Sequence, residues 1–294
     1  MTLADFLQLL VAGLATGAIY ALVAIGFTLL WQTSQTINFA QGEFVMLPAF
    51  FVLIGMSYFG LSFWLAVALG AVVSLAVLGL LFKRWMIDPM IQHGVLPMVI
   101  ATIGLAIFMK EAVREFYGAD AWPFPAFGAT TDFTVFGAVF AVQSLAILAI
   151  SIAVVIALQL FLGRTFTGRC MQASAQNPTV ARLLGIQVAR MTLYTFLINA
   201  ALVTVASLLI TPIYLAKFTN GEWLGLYAFI AAIIGGFNQV RGAIAGGLLL
   251  GVVDNLAAAY VSTQYRLVIP LLILIVVVLV RPQGLLGRVE ERTV

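Results

Sequence analysis

Charged residues are scarce in this chain: they make up 9% of its 294 residues, against 63% hydrophobic residues. Soluble domains carry about 25% charged residues, so this composition cannot cover a globular surface with polar groups. The mean hydropathy of +1.14 and the charge-free runs along the whole length indicate a polytopic membrane protein, because each bilayer-spanning helix needs about 20 apolar residues. These runs leave no room for a separate soluble domain.

Cysteine and histidine are nearly absent, with one residue of each. The single cysteine, Cys170, excludes an intramolecular disulfide and a cysteine-rich metal site, and His93 has no second histidine with which to bind a metal. None of the three lysines (Lys83, Lys110 and Lys217) stands in the Gly-Lys-Ser/Thr context of a nucleotide-binding loop. The sequence therefore predicts no metal, no cofactor and no enzymatic activity. Active transport would take its energy from an ion gradient or from another subunit.

Nine hydrophobic segments are predicted to be helices. They are 6–30, 44–60, 61–82, 95–110, 136–162, 191–213, 223–237, 243–261 and 267–280. Several are short or interrupted, as by Pro48 and by Gly235-Gly236, and such segments in corresponding places of two halves point to a transport pathway. The predicted fold is an all-α polytopic membrane protein with about eight or nine transmembrane helices, some of them broken or re-entrant. Residues 1–294 are expected to form one transmembrane domain.

Lysine and arginine at the ends of the runs predict the orientation. The loop 163–190 holds four arginines and no acidic residue, whereas the loop 111–135 is mainly acidic. The first should be cytoplasmic and the second should lie outside. The other basic positions expected in the cytoplasm are Lys83-Arg84 and the tail residues Arg281, Arg288 and Arg292. The first run lacks a basic leader and a small-residue cleavage site, so we expect it to be retained as a span, with the N-terminus outside and the C-terminus inside. The net charge of +3 arises at such positions and does not indicate a nucleic-acid partner.

Two hydrophobic runs begin with a glycine followed by a glutamate. Residues 39–50 and 218–229 share six identities in twelve positions, which suggests an internal repeat. The two glutamates are Glu43 and Glu222. Five predicted spans separate them, and this odd number makes the two stretches enter the membrane from opposite sides, the inverted arrangement found in many transporters.

These repeated stretches have two interpretations. A carboxylate at the bilayer centre costs about 2.5–3.5 kcal/mol, so it needs a partner or water. In the first interpretation, polar residues mark the path of a solute, contact its ammonium group or hold a gate closed. They are Asn38, Gln41, Glu43, Asn220 and Glu222. In the second, Asn38-x-x-Gln41 and Thr219-x-x-Glu222 are capping boxes, and each acid complements a helix dipole. Capping alone explains the spacing, and the two interpretations are compatible.

Two further features concern helix packing. Asp254 lies inside a hydrophobic run with Asn255 beside it and Arg266 after it, so a structural pair is favoured over a proton relay. The patterns GLATG (13–17), GAIAG (242–246) and GLLLG (247–251) place small residues four apart, which lets helices approach closely in lipid. Both features predict structure rather than chemistry.

The basic loop 163–190 contains the stretch AQNPTVARLLGI. This stretch predicts a short helix that starts after Asn177 with Pro178 in its first turn. The apolar pair Leu183-Leu184 favours docking of this helix into a cytoplasmic partner. The alternative is a solvated connector whose arginines bind phospholipid head groups.

Five stretches in order along the chain resemble one known family. They are GLATGAIYALVAIGFTLL (13–30), INFAQGEFVML (37–47), ASAQNPTVARLLGI (173–186), GGFNQVRGAIAGGLLLGVVDN (235–255) and RPQGLLGR (281–288). The family is that of the membrane permeases of branched-chain amino-acid ABC importers, the LivH-like subunits. The resemblance covers nearly the whole chain and is weakest over 111–160.

The resemblance implies a permease in a bacterial inner membrane that pairs with a second, similar permease. Two cytoplasmic ATP-binding subunits would dock below it, and a periplasmic solute-binding protein would deliver the ligand. The residues implied to couple to the ATPases are Arg169, Asn177, Pro178, Ala181, Arg182 and Gly185. The family stretch commonly has histidine where this chain has Gln41, which leaves urea, short amides or aromatic acids as alternative solutes. From another class, an ion-coupled secondary transporter working through Glu43, Glu222 or Asp254 is the second hypothesis, and a passive channel is the third.

Overall fold

The computed structural model describes residues 3–35, 37–126, 133–135 and 138–287. In these ranges the chain forms eleven helices and a short hairpin. The helices are α1 (Leu3–Ser34), α2 (Gln41–Ser57), α3 (Phe63–Met90), α4 (Val95–Tyr117), α5 (Val142–Arg164), α6 (Phe166–Gln176), α7 (Pro178–Leu183), α8 (Val188–Tyr214), α9 (Asn220–Gly235), α10 (Val240–Tyr260) and α11 (Val268–Val280). Each of the nine predicted helical segments coincides with one of them over most of its length. Arg288 and Arg292 of the predicted cytoplasmic tail lie outside the described residues.

Three predicted boundaries are wrong. The helix predicted over 61–82 continues to Met90 as α3. The helix predicted over 136–162 begins only at Val142, because Phe133–Val135 and Ala138–Phe140 pair as antiparallel strands β1 and β2. Valine and phenylalanine in this stretch favour extended backbone. The helix predicted over 95–110 continues to Tyr117, so the first part of the predicted loop 111–135 is helical.

The helices have the composition of membrane spans. Within the described residues, six are long and apolar enough to cross a bilayer, namely α1, α3, α4, α5, α8 and α10, while α2 and α11 are apolar but shorter. α9 has 16 residues. The all-α polytopic membrane fold is therefore supported, and the count of eight or nine transmembrane helices stays a prediction.

The chain groups into two compact units. The first unit comprises residues 1–28, 126–152 and 226–294, and the second comprises 29–125 and 153–225. The core of the second unit forms where α2 packs against α3 and α8. Buried rings lie at its centre, with centroids 4.8 Å apart for Phe44 and Phe82 and 5.8 Å apart for Phe82 and Phe196.

Glycines bring helices of the first unit into backbone contact. A Cβ added at Gly17 would lie 2.8 Å from the Gly247 carbonyl oxygen, and one at Gly13 would lie 2.9 Å from the Cα of Val252. The predicted pattern GLATG on α1 thus faces GLLLG on α10. The pattern GAIAG packs in the same way on the end of α9, through Gly242 and Gly235. The prediction of close helix approach is confirmed, and the contacts supply dispersion energy where lipid provides no hydrophobic drive.

An ion pair with one buried partner lies in the first unit. Asp254 on α10 is 0% exposed, whereas the side chain of Arg266 is 35% exposed. Arg266 donates from Nε to Oδ1 of Asp254 (2.7 Å) and from an Nη to its Oδ2 (2.6 Å). The hydroxyl of Tyr20 also donates to this carboxylate (3.3 Å), and the hydroxyl of Tyr227 lies between the carboxylate (3.3 Å) and the carbonyl oxygen of Arg266 (3.1 Å). The predicted pairing with Arg266 is confirmed. Asn255, the other possible partner, instead donates to the carbonyl oxygen four residues earlier on its own helix (3.0 Å).

The segment after α11 closes the end of α9. The backbone N–H groups of Leu285 and Leu286 donate to the carbonyl oxygens of Ile234 and Gly235, at 2.8 and 3.0 Å. The last carbonyls of a helix have no partner within the helix. The RPQGLLG stretch therefore works as a capping segment supplied from a distant part of the chain.

Candidate functional site

The first turns of α2 and α9 meet in the second unit. A Cβ added at Gly42 would overlap the carbonyl oxygen of Gly221, and one at Gly225 would lie 2.8 Å from the Cα of Gly42. The two Gly-Glu stretches of the sequence repeat are therefore in backbone contact. Only glycine permits this approach, since any side chain at Gly42 would need the space of the opposite main chain.

The direction of α2 follows from its contacts with α4. The backbone N–H of Phe39 donates to Thr102 Oγ1 (3.3 Å), and the ring of Phe50 lies 5.1 Å from the ring of Tyr117, centroid to centroid. From Phe39 to Phe50 the chain therefore runs alongside α4, from the middle of α4 towards the C-terminal end of α4. α2 is parallel to α4.

The chain that leads into α9 runs the other way. Ala216 and Trp122, which lies beyond the end of α4, exchange two backbone hydrogen bonds of 2.9 Å. Six residues later, Glu222 contacts Lys110 inside α4. The starts of α2 and α9 therefore approach each other from opposite directions. At 1.5 Å per residue, Lys110 lies about 10 Å along the axis from Tyr117, well within a helix that is long enough to span.

Three charged side chains converge where these helices meet. Lys110 Nζ donates to Glu222 Oε1 at 2.6 Å, with 23% and 57% of the two side chains exposed, and the ammonium lies 6.0 Å from the centroid of the Phe218 ring. The carboxylate of Glu43 lies against the Cα of Gly221. This carboxyl group lies within electrostatic reach of both Lys110 and Glu222. We call Glu43, Lys110 and Glu222 the three-charge cluster.

Glu43 differs from the other two members in burial. The residue is 4% exposed, and among the described residues its Oε2 has no hydrogen-bond partner. Glu43 and Glu222 both occupy first helical turns, where the positive end of the helix dipole stabilises a carboxylate by about 0.3–1 kcal/mol. The dipoles therefore offset part of the cost of burial, but they leave one oxygen without a donor.

The predicted capping box at Asn38-x-x-Gln41 is wrong. The N-cap residue of α2 is Ala40, which has no side-chain cap, and the Oδ1 of Asn38 accepts from the backbone N–H of Ala40 (3.0 Å). Gln41 is already helical, and its side chain forms a reciprocal amide pair with Asn199 on α8, at 2.7 and 3.1 Å. Both amides are 0% exposed. They anchor the start of α2 and are closed to a solute in this structure.

The start of α9 is fixed by a different contact. The side chain of Asn220 is largely buried and donates to the carbonyl oxygen of Leu215 (2.6 Å). Leu215 and Gln35 are the two non-glycine residues with positive φ in the described part of the chain, at 63° and 52°. Each directly follows the helix that precedes one copy of the sequence repeat, so the two copies share a backbone feature as well as residues.

The basic loop forms two short helices. The Oδ1 of Asn177 accepts from the backbone N–H groups of Thr179 and Val180, both at 3.0 Å, and Pro178 opens α7. The predicted short helix is therefore confirmed, with Asn177 as its N-cap. Gly185, at φ +79°, follows its end.

α7 presents one face outward. Ala181 is 2% exposed, whereas Leu183 and Leu184 are 83% and 73% exposed. Arg182 on α7 and Arg169 on α6 are exposed as well. The helix thus offers an apolar pair with a neighbouring arginine, and it holds this pair on a capped, packed scaffold.

Lys110 and Asn199 are functional candidates that the sequence reasoning missed. The sequence predicts a helix end at Lys110, but the helix continues for seven more residues. The one signal for this continuation is that four of the next six residues (EAVREF) are Glu, Ala or Arg, which have high helix propensity. Asn199 carried no local signal, since its partner lies 158 residues away.

Comparison with known proteins adds a family and a fold. The family model for the permease component of branched-chain amino acid transport systems matches residues 9–278. The high-affinity branched-chain amino acid transport system permease protein LivH of Salmonella typhimurium is 33% identical, over 98% of each chain. The corresponding BraD protein of Pseudomonas aeruginosa is 32% identical over the same share. Among solved structures, PsaBC from Streptococcus pneumoniae in complex with Fab superposes with a TM-score of 0.51 over 96% of this chain and 97% of that one. At 13% identity it supports the fold alone.

Proposed function

Since the chain belongs to the family of permease components of branched-chain amino acid transport systems, we propose that it forms the membrane pathway through which branched-chain amino acids enter the cell. The observation that carries this proposal is the match to LivH over 98% of both chains. The continuous family match over residues 9–278 also supports one permease domain over residues 1–294, with no part of the chain assigned to another activity.

The chain is a transporter subunit, and its energy source lies in its partners. We infer two cytoplasmic ATP-binding subunits, a second homologous permease and a periplasmic solute-binding protein, all in or at a bacterial inner membrane. The absence of a nucleotide-binding motif from the sequence supports separate ATPases. The apolar helices α1, α3, α4, α5, α8 and α10 support the membrane location.

An inverted repeat is part of the proposal, with the N-terminus periplasmic and the C-terminus cytoplasmic. It is supported by the opposite directions in which α2 and α9 start along α4. The positive φ angles of Gln35 and Leu215 give further support. Between Glu43 and Glu222, four helices are long enough to span, namely α3, α4, α5 and α8, and the shorter apolar helix α2 would be the fifth span.

The pathway is proposed to pass the meeting point of α2 and α9. Glu43 and Glu222 would then face it, and Asn38, Gln41 and Asn220 would hold the two helix starts in place. The ion-coupled alternative is not favoured, because the acid Asp254 is closed by Arg266 and two tyrosines. The relatives named for branched-chain amino acids likewise do not favour urea, short amides or aromatic acids as solutes.

A reconstituted complex tests the proposed function. The chain, its second permease and the two ATPases are placed in proteoliposomes with the solute-binding protein outside and ATP inside, and uptake of labelled leucine is measured. We expect concentrative uptake that needs both ATP and the binding protein. Concentrative uptake by this chain alone, driven by a proton or sodium gradient without ATP, would contradict the proposal.

The exposed face of α7 is expected to dock the ATPases, together with Arg169 and the residues around Asn177. The variant Arg182→Glu should lower co-purification of the ATPases by about tenfold or more, which corresponds to about 1.4 kcal/mol or more of lost binding free energy. Membrane insertion should be unchanged, because the substituted residue is exposed and outside the spans. The measurement is the molar ratio of ATPase to permease after affinity purification in detergent.

Arg190→Glu is the matched control for this docking prediction. It makes the same charge change at an exposed position of the same loop, but in the first turn of α8. The ATPase ratio should stay near that of the native chain. Equal ratios for Arg182→Glu and Arg190→Glu would reject a specific role for α7.

A further inference from the structure

We propose that the three-charge cluster is a binding site for the two charged ends of a zwitterionic α-amino acid, with Lys110 taking the α-carboxylate and Glu43 and Glu222 taking the α-ammonium. This inference rests on the proposed function, which supplies an amino acid as solute. It adds the residues that would recognise the solute inside the membrane, among them Lys110.

The exposure of the cluster indicates what it faces. The Glu222 side chain is 57% exposed, and Lys110 lies about 10 Å inside α4. A charged group at such a depth that faced acyl chains would cost about 2.5–3.5 kcal/mol even on insertion scales. The open side of the cluster therefore faces water or another protein chain, as the wall of a solute pathway does.

The buried carboxylate of Glu43 supplies an acceptor that needs a donor. Its Oε2 has no hydrogen-bond partner among the described residues, and an unsatisfied buried acceptor costs about 1–3 kcal/mol or more when charged. The nearby ammonium of Lys110 is already committed to Glu222 at 2.6 Å. An α-ammonium brings three N–H donors, enough to reach both glutamates.

The exchange of contacts favours a zwitterion over other solutes. Without solute, the cluster holds one ion pair, Lys110 with Glu222. An amino acid placed between them replaces this one ion pair by two. Its carboxylate pairs with Lys110, and its ammonium pairs with the glutamates. The solute is neutral overall, so it adds no net charge to the site. A urea or a simple amide has no full charges with which to open the pair.

The glycines of the site keep this arrangement compact. The carboxylate of Glu43 lies against the Cα of Gly221, the residue that precedes Glu222 in the chain. Neighbouring carboxylates repel each other when both are ionised, and a cation between them relieves the repulsion. The positive ends of the α2 and α9 dipoles offset part of the repulsion until the ammonium arrives.

Ligand-observed NMR can test the site without the solute-binding protein. The full complex of both permeases and ATPases is placed in nanodiscs and titrated by saturation transfer with leucine, leucinamide (no carboxylate) and 4-methylpentanoate (no ammonium). On the native complex we expect saturable binding of leucine and about tenfold weaker binding of each analogue, the ratio expected for one charge-assisted contact worth about 1.4 kcal/mol.

The variants separate the two ends of the solute. Lys110→Met should weaken the binding of leucine by about tenfold and leave the binding of leucinamide unchanged. Glu43→Gln keeps the Lys110–Glu222 pair and nearly the same side-chain shape. It should weaken the binding of leucine and of leucinamide and leave the binding of 4-methylpentanoate unchanged. If Lys110→Met does not fold, the Glu43→Gln variant still decides the test. Glu111→Gln, which alters the neighbouring Arg114 pair on α4, is the control and should bind all three as the native chain does.

Each outcome decides the inference. No saturable leucine binding, or equal losses for leucine and both analogues in the variants, would overturn it and leave a purely structural ion pair. ATP-driven leucine uptake, measured in proteoliposomes made from the same purified native complex with the solute-binding protein added, separates this failure from failure of the proposed function. Uptake without the selective pattern rejects the site alone, and absent uptake rejects the amino-acid pathway.

Discussion

Arg266→Met is expected to lower the free energy of unfolding by about 1–3 kcal/mol or more, the cost of leaving a buried charged acceptor without its main donor. The substitution leaves the carboxylate of Asp254 buried, and among the described residues the hydroxyls of Tyr20 and Tyr227 are its remaining donors. The measurement is chemical or thermal unfolding of the purified chain in a fixed detergent, followed by tryptophan fluorescence. We expect a large drop in the unfolding midpoint and in the yield of folded protein.

Two further variants make this prediction specific. Arg114→Met removes an arginine from an exposed pair with Glu111, in which the side chains are 56% and 48% exposed, and should cost about 0–1 kcal/mol. The double variant Arg266→Met/Asp254→Leu should regain much of the stability, because replacing a buried pair by apolar residues is often close to neutral. If Arg266→Met lowers the free energy of unfolding by less than Arg114→Met does, the pair of Asp254 with Arg266 contributes little to stability.

Gly42→Ala is expected to abolish transport through one added methyl group. Its Cβ would overlap the carbonyl oxygen of Gly221, which belongs to the main chain and cannot rotate away. The starts of α2 and α9 must then separate, at a cost of about 1–3 kcal/mol as for other overpacked contacts. Glu43 loses its place beside the start of α9. The measurement is leucine uptake in the reconstituted complex, with unfolding of the same preparation.

Gly104→Ala on α4 is the matched control. A Cβ at this position has no atom within 4 Å, and alanine has the higher helix propensity by about 1 kcal/mol. This variant should retain uptake and gain a little stability. If Gly42→Ala transports as well as Gly104→Ala, the backbone contact between α2 and α9 is not needed for function.

The features that the sequence predicts well are those set by neighbouring residues. Hydrophobic runs locate the helices, and Asn177 followed by Pro178 identifies the start of α7 because a cap involves only the next three residues. The pairing of Asp254 with Arg266 is also recoverable, since twelve residues and one turn separate them. The glycine patterns succeed for the same reason, as each is a property of one helix face.

The features that the sequence does not predict depend on contacts between distant parts of the chain. Lys110 and Glu222 are 112 residues apart, and Gln41 and Asn199 are 158 residues apart. No local pattern records such a pairing, and the capping box proposed for Asn38 and Gln41 is wrong because the real partner of Gln41 is on another helix. The repeat around Glu43 and Glu222 was visible in the sequence. Its physical basis, two helix starts in backbone contact, needed the structure.

The amide pair between Gln41 and Asn199 makes the anchoring of α2 insensitive to acidity. Neither side chain gains or loses a proton between pH 5 and 8, the range in which a histidine changes its charge. In this chain the same two hydrogen bonds, at 2.7 and 3.1 Å, persist in acidic and in neutral surroundings. The contact of Gln41 with α8 is therefore set by groups that do not titrate in this range.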